Sequence, residues 1–281
     1  MSEYHILSHG LGVQTTTLDL MEREGLFGLK FDHKIFADTQ EEPAPVYRHL
    51  EWLQDGRITV RTNGKLGDDL AKGQNCMGRR FASIPAFTRG EGDEREGRIR
   101  RQCSAEYKVQ VIERFIRREV LGLKPRQRVP KGVRVHQYFG ISLDEAGRSR
   151  RIAQRFSEET WCKPHFPLVD LFLTRADCLT FLGPRVPHQT PRSACVCCPY
   201  RSDAEWVWLR EHDPAGWQRA VSLDHDMRRP GWAGNRQMHR PMYLHRSCKP
   251  LGEVIFDTRP KARDLQLSMS FAAVCEGVCG V

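Results

Sequence analysis

The sequence predicts an α/β protein with a mainly parallel, twisted sheet, helices on both faces and a cysteine-containing C-terminal region. A short apolar run at residues 4–7 and strand-like segments at 34–37, 58–61 and 133–141 alternate with longer helically patterned stretches. The first run ends in the glycine turn Ser8-His9-Gly10-Leu11-Gly12 and leads into helically spaced Val13, Leu18, Leu20 and Met21. After about Gly183 the alternation fades and cysteine density rises. Residues 1–182 are therefore expected to form the α/β domain, and 183–281 a cysteine-rich region of helices, loops and a tail.

The elements follow in order. The second strand ends at Asp38-Thr39, and Pro43 opens a helix through Val46, Leu50, Trp52 and Leu53, as proline in a first turn does. The third strand is 58–61. A helix over 105–121 precedes the fourth strand, which ends in the loop Ser142-Leu143-Asp144-Glu145. Three segments read as loops: charged, glycine-rich 89–101, basic 124–132 with its prolines, and basic 227–240.

Composition excludes several classes. The 281 residues carry 44 Lys and Arg against 35 Asp and Glu, a net +9, with 40% hydrophobic and 28% charged residues. That is a folded composition, long enough to bury a core without disulfide staples. The N-terminal residues show no basic segment followed by an apolar run, so no signal peptide is expected. Apolar runs fall short of the roughly 20 residues of a membrane span. The expectation is a soluble, cytoplasmic, reducing setting, where clustered cysteines bind metal or do chemistry.

Backbone N–H groups of a glycine turn before a helix make an anion site, with Gly10 and Gly12 allowing close approach and Thr15 and Thr16 offering hydroxyls. A plain strand–helix connection has the same appearance, and neither a Walker loop nor a complete GxGxxG is present. Asp38, at a strand's carboxyl end, suits a ribose hydroxyl or Mg²⁺, or else caps the next helix. Asp144 and Glu145 suit a nucleotide or Mg²⁺, or salt bridges to Arg148, Arg150 and Arg151. Of the ten cysteines, Cys195 and Cys198 have C-x-x-C spacing, which lets two thiolates reach one metal. Cys103 precedes a helix that should return to the same sheet edge. Cys162, Cys178 and Cys248 read as packing. Arg79, Arg80, Arg95, Arg98, Arg100 and Arg101 form one basic set. Arg228, Arg229, Arg236, Arg240 and Arg246, with Trp232, His239 and His245, form a second. Both compositions suit nucleic acid or one nucleotide's phosphates.

Several motifs together resemble the phosphoadenosine-phosphosulfate-reductase-like family of the adenine-nucleotide α-hydrolase, or N-type ATP pyrophosphatase, superfamily. They are Ser8-His9-Gly10-Leu11-Gly12-Val13-Gln14-Thr15-Thr16, Phe36 to Pro43 with Tyr47, His49 and Trp52, and Arg101-Gln102-Cys103-Ser104 with Tyr107-Lys108. Further matches are Gly140-Ile141-Ser142 with Asp144, Glu145 and Arg148, Ser193-Ala194-Cys195 with Cys198-Pro199-Tyr200, and the Cys275 to Val281 ending. The resemblance implies a HUP-like fold binding ATP or a related adenine nucleotide and Mg²⁺ through Ser8, Gly10, Gly12, Gln14, Thr15, Thr16, Asp38, Asp144, Glu145 and Arg148. It implies a 4Fe–4S cluster on Cys103, Cys195 and Cys198 that leaves one iron open, with Cys76, Cys197 or no residue as fourth ligand, or Zn²⁺ as the alternative. Arg101, Lys108 and the tail thiols Cys275 and Cys279 are its candidate catalytic groups. Gln14 departs from the family loop, which has an acid there.

The implied activity is ATP-dependent sulfur transfer to a nucleobase or nucleic acid. The alternatives are a reductase releasing sulfite from a sulfated adenylate, and a non-catalytic nucleotide- or nucleic-acid-binding subunit. Implied partners are a tRNA or DNA substrate and a sulfur donor such as a cysteine desulfurase. A homodimer is compatible with the sequence, and no membrane partner is expected.

Overall fold

The computed structural model describes residues 2–26, 28–54, 57–89, 97–236, 238 and 240–259. The elements run β1 (Ser2–Ser8), α1 (Val13–Arg23), β2 (His33–Ala37), α2 (Ala44–Leu53), β3 (Ile58–Arg61), α3 (Leu66–Lys72), β4 (Phe87–Thr88) and β5 (Gly97–Arg98). Next come α4 (Gln110–Phe115), flanked by π-helical turns at Ala105–Val109 and Ile116–Val120, then β6 (Val133–Phe139), α5 (Ala146–Phe156), β7 (Cys162–His165), α6 (Pro167–Asp170) and α7 (Arg175–Leu182). The remainder holds α8 (Asp203–His212), α9 (Pro214–Asp226) and β8 (Met242–Tyr243).

The main sheet has five parallel strands in the order β3-β2-β1-β6-β7, a Rossmann-like arrangement. Strand order reverses between β1 and β6, so the crevice above their carboxyl ends is the topological switch point. A small antiparallel sheet, β5-β4-β8, stands apart.

Successive side chains of β1 point to opposite faces. Ile6 packs with Ile35, Val135 and Phe115 on the α4 face, and Leu7 with Leu18, Met21, Leu168 and Leu182 on the α1 and α7 face. Both faces are thus covered by helices, as is usual for a parallel sheet. Another cluster joins Leu66, Leu70 and Tyr107 to Trp206, Leu223 and Trp232, drawing on both sides of residue 183.

Several elements differ from the sequence expectation. β7 is four residues long with Pro164 inside it, too short and too weakly patterned to be read. Pro43 takes the N-cap position of α2, with Pro45 in the first turn. The expected 105–121 helix forms, with a π-helical turn at each end. α8 begins at a reciprocal capping box between Ser202 and Glu205, and Asp213 caps α9. Among the described residues no helix is long and apolar enough to cross a membrane.

Candidate functional site

Cys103, Cys195, Cys197 and Cys198 line one pocket together with Thr39, Arg101, Ser104 and Lys108. The pocket lies where the chain leaves the carboxyl end of β2. Local geometry builds it from three directions. The helix over 105–120 starts beside the pocket and carries Lys108 on its first, π-helical turn. Val196 N–H donates to Glu41 O at 2.7 Å, which docks the cysteine loop onto the β2–α2 connection. Gln40 in that connection has φ 58, a left-handed conformation that costs an L-residue about 1–2 kcal/mol.

Glu42 organises the polar wall. Lys108 Nζ lies 3.2 Å from Glu42 Oε1, Ser193 Oγ donates to Glu42 Oε2 at 3.2 Å, and both side chains of the ion pair are buried. Cys195 Sγ is 3.1 Å from Thr39 Oγ1 and 4.0 Å from Glu42 Oε1. Burial first, then the Glu42 carboxylate, holds the Cys195 thiol well above the ordinary range. Burial first, then Glu41 and Cys103, pushes Cys197 up as well. Behind the loop, buried Arg201 donates from Nη2 to Ala194 O at 2.7 Å and to Cys195 O at 3.3 Å. Its Nε has no hydrogen-bond partner among the described residues. Among those residues no group of three or more His, Cys, Asp or Glu side chains is arranged to hold a metal ion. Cys76 does not line this pocket, and its thiol is pushed up by burial and then Glu106.

The glycine loop lies next door at the switch point. Leu11, between the two glycines, has φ 58 and is fully buried. Its N–H donates to His9 Nδ1 at 3.0 Å, while His9 Nε2 faces Asp19 at 3.3 Å. The Thr15 hydroxyl accepts the Gly10 N–H at 3.2 Å and donates to Gly12 O at 3.3 Å. Thr16 Oγ1 contacts His49 Nε2 at 2.9 Å, and Ser8 Oγ accepts from Gln137 at 2.7 Å. The expected hydroxyl donors are thus engaged by the fold, Thr15 within the loop and Thr16 and Ser8 by residues of α2 and β6. Gln14 donates to Ser142 Oγ at 3.3 Å and to Glu145 Oε2 at 3.1 Å, and accepts from Arg175 at 3.2 Å. Glu145 also pairs with Arg148 at 2.9 Å. An acid in place of Gln14 would face Glu145, so the amide at this position is explained by its neighbour.

Asp38 accepts the Gln40 N–H at 2.7 Å and the Tyr47 hydroxyl at 3.0 Å, and burial raises its carboxyl above the usual range. It braces the turn and does not cap α2. Asp144 accepts the Arg175 N–H at 3.0 Å.

Other expectations are redistributed. Trp232 is core, donating its indole N–H to Leu70 O at 2.8 Å, and is not available for base stacking. Arg228 pairs with Asp224, Arg246 with Asp203, and His245 is buried against Asp203. Arg80 pairs with Glu106. From the first basic set, Arg98 and Arg101 lie over the Tyr200 ring at 5.5 and 5.6 Å, beside the pocket. Cys162 and Cys178 are buried packing residues. Cys275, Cys279, Arg95 and His239 lie outside the described residues.

Sequence reading quoted Thr39, Glu42 and Ser193 within motifs but gave them no role, and did not single out Arg175 or Arg201. The Glu41-Glu42-Pro43 run was the one local signal, a carboxylate pair just past a strand end. Comparison of the chain with protein-family models, curated proteins and solved structures finds no match to any of them.

Proposed function

We propose that the chain is a phosphoadenosine-phosphosulfate-reductase-like ATP pyrophosphatase with a HUP-like fold, acting as an ATP-dependent sulfurtransferase on a nucleobase-type acceptor. One observation carries this reading: cysteines distant in sequence converge, with Arg101 and Lys108, on one pocket at the carboxyl edge of a parallel sheet. Ligands collect at that edge in open α/β folds.

The donor types are those of an iron–sulfur centre, although no three of them are arranged to hold a metal ion among the described residues. Four thiols share the pocket, and buried Arg201, with an unpartnered Nε, supplies positive charge behind them. Cys103, Cys195 and Cys198 would hold the cluster, and Cys197 is the better-placed candidate for a fourth ligand than Cys76. Bound by those three cysteines alone, such a cluster would leave one iron position open to the sulfur being transferred, and ligation by Cys197 would close it. Ligation requires thiolates, so loading would release a proton from Cys195, whose thiol burial otherwise holds protonated.

The chain's own residues then divide the work. The Gly10–Gly12 backbone and the start of α1 suit the nucleotide's phosphates. An acceptor carbonyl oxygen bonds to the α-phosphorus as the bond to pyrophosphate breaks. Arg101 and Lys108 offset the charge that builds on the phosphoryl oxygens. Glu42 and Ser193 hold Lys108 in place. A sulfur nucleophile at the sulfide level then replaces AMP, which leaves with the C–O electron pair, so this step needs no oxidant or reductant.

A second reading is favoured by the engaged glycine loop. With Thr15 and Gln14 already satisfied within the fold, the chain would bind a nucleotide as an accessory subunit without turning it over. Anaerobic purification with iron, sulfide and zinc analysis, followed by turnover assays, tests both. Iron with acid-labile sulfide, and acceptor-dependent pyrophosphate release from ATP, are the expected results. A colourless protein with one zinc sinks the cluster. Sulfite release from a sulfated adenylate assigns the reductase chemistry. Nucleotide binding without either product assigns the accessory role.

A further inference from the structure

At the opposite end of the sheet, where β6 and β7 begin, a second groove is lined by Arg117, Arg126, Arg128, Lys131, Arg134 and Trp161. No carboxylate lines it. Arg126, Arg128, Lys131 and Arg134 are exposed, and none of them forms an ion pair among the described residues. Glu3, opposite Arg134 in the β1–β6 register, and exposed Glu159 flank the groove without lining it.

The groove is a built feature. Gln127 N–H donates to Lys124 O at 3.1 Å, and its side chain accepts the Lys124 N–H at 2.9 Å. Its carbonyl accepts from Arg117 Nη2 at 2.6 Å, and the Arg117 guanidinium lies 5.8 Å from the Trp161 ring centre. Arg126 takes a left-handed φ of 62 to complete the turn. Cations gathered without counter-charge repel one another, and a polyanion both relieves that repulsion and releases its own condensed counterions. Arginine forks suit phosphodiesters. A lipid surface fits less well, because none of the exposed large apolar side chains, such as Phe172 and Leu26, belongs to this groove.

We propose that this groove binds the phosphodiester backbone of a nucleic acid. β6 spans seven residues, about 23 Å at strand spacing. A strand reaching from the groove to the carboxyl edge would therefore need about seven stacked nucleotides at roughly 3.4 Å each. The inference is read by binding alone and does not rest on the chemistry proposed for the thiol pocket.

The test uses the full chain with a labelled 20-nucleotide single-stranded RNA and a 20-base-pair DNA duplex, followed by fluorescence anisotropy between 50 and 200 mM KCl. Phosphatidylserine vesicles and poly-glutamate serve as competing partners. Wild type should bind an oligonucleotide with log K falling about 3–4 per decade of salt. Arg128→Gln should reduce that slope by about 1. The triple variant Arg126→Glu, Arg128→Glu, Arg134→Glu should weaken binding by about 100-fold or more, with an unchanged melting temperature, while Lys249→Gln, at an exposed position outside the groove, leaves it intact. Preference for RNA or for duplex identifies the source of the backbone. The proposal is overturned if neither oligonucleotide binds, if the triple variant binds like wild type, or if vesicles or poly-glutamate bind more tightly than both oligonucleotides.

Discussion

Replacing Lys108 by methionine keeps most of the side chain's volume but removes the cation that faces Glu42 across 3.2 Å. The two side chains are 7% and 0% exposed, so water cannot take over that role. Breaking a buried pair from one side costs about 3–5 kcal/mol, because the remaining charge stays desolvated. Glu42 keeps the Ser193 hydroxyl at 3.2 Å, which places the expectation at the low end, about 3 kcal/mol. For a chain of this size each kcal/mol moves the melting temperature by about 2–4 °C, so Lys108→Met should melt about 6–12 °C early. Adding Glu42→Gln removes the stranded charge and should restore about 2 kcal/mol, since a neutral hydrogen-bonding group is far cheaper to bury than an unpaired ion. Thermal and urea denaturation of wild type, both single variants and the double variant measure the coupling directly. The reasoning fails if Lys108→Met melts within about 2 °C of wild type, or if the double variant is as unstable as the sum of the singles.

Gly140→Ala should cost about 1–3 kcal/mol and weaken nucleotide binding, because its Cβ would stand 2.5 Å from Thr15 Cγ2 and 2.7 Å from the Thr15 backbone nitrogen. Unchanged melting and calorimetric affinity would contradict that. His49 sits buried between Thr16 and His188, and its pKa is drawn from 6.5 down to about 3, first by burial and then by neighbouring histidines. Its folded pKa lies below its unfolded one, so its contribution is intact above pH 6.5 and is lost as pH falls towards 3. The loss is on the order of 5 kcal/mol, and His49→Gln should flatten urea-derived stability across that window. Iron content after anaerobic purification should fall in Cys195→Ser and hold in Cys76→Ser. Equal loss in both would remove the distinction drawn from the pocket lining.

The layout of the sheet was legible because its signals are local. Strand-like segments such as 34–37, glycines after the first strand and a proline before α2 announce themselves within a few residues. Even there, β7 escaped notice, since four residues around Pro164 carry almost no pattern. The C-x-x-C spacing of Cys195 and Cys198 was also local. Trp232 shows the limit in the other direction: arginines beside it in sequence suggest a stacking surface, yet its indole fills a core and satisfies Leu70 O.

By itself, then, the sequence determined the alternation of strands and helices, the glycine turn at the first strand's end, and a basic chain with clustered thiols. Tertiary structure alone decided that Cys103 and Lys108 meet Cys195, that Gln14 answers Glu145 and Arg175, and that cations without an ion-pair partner among the described residues gather at the far end of β6. The reason is physical. Helix and strand periods are set by backbone geometry a few residues at a time, whereas the partner of a charge or a thiol is set by which loops the closed sheet brings together.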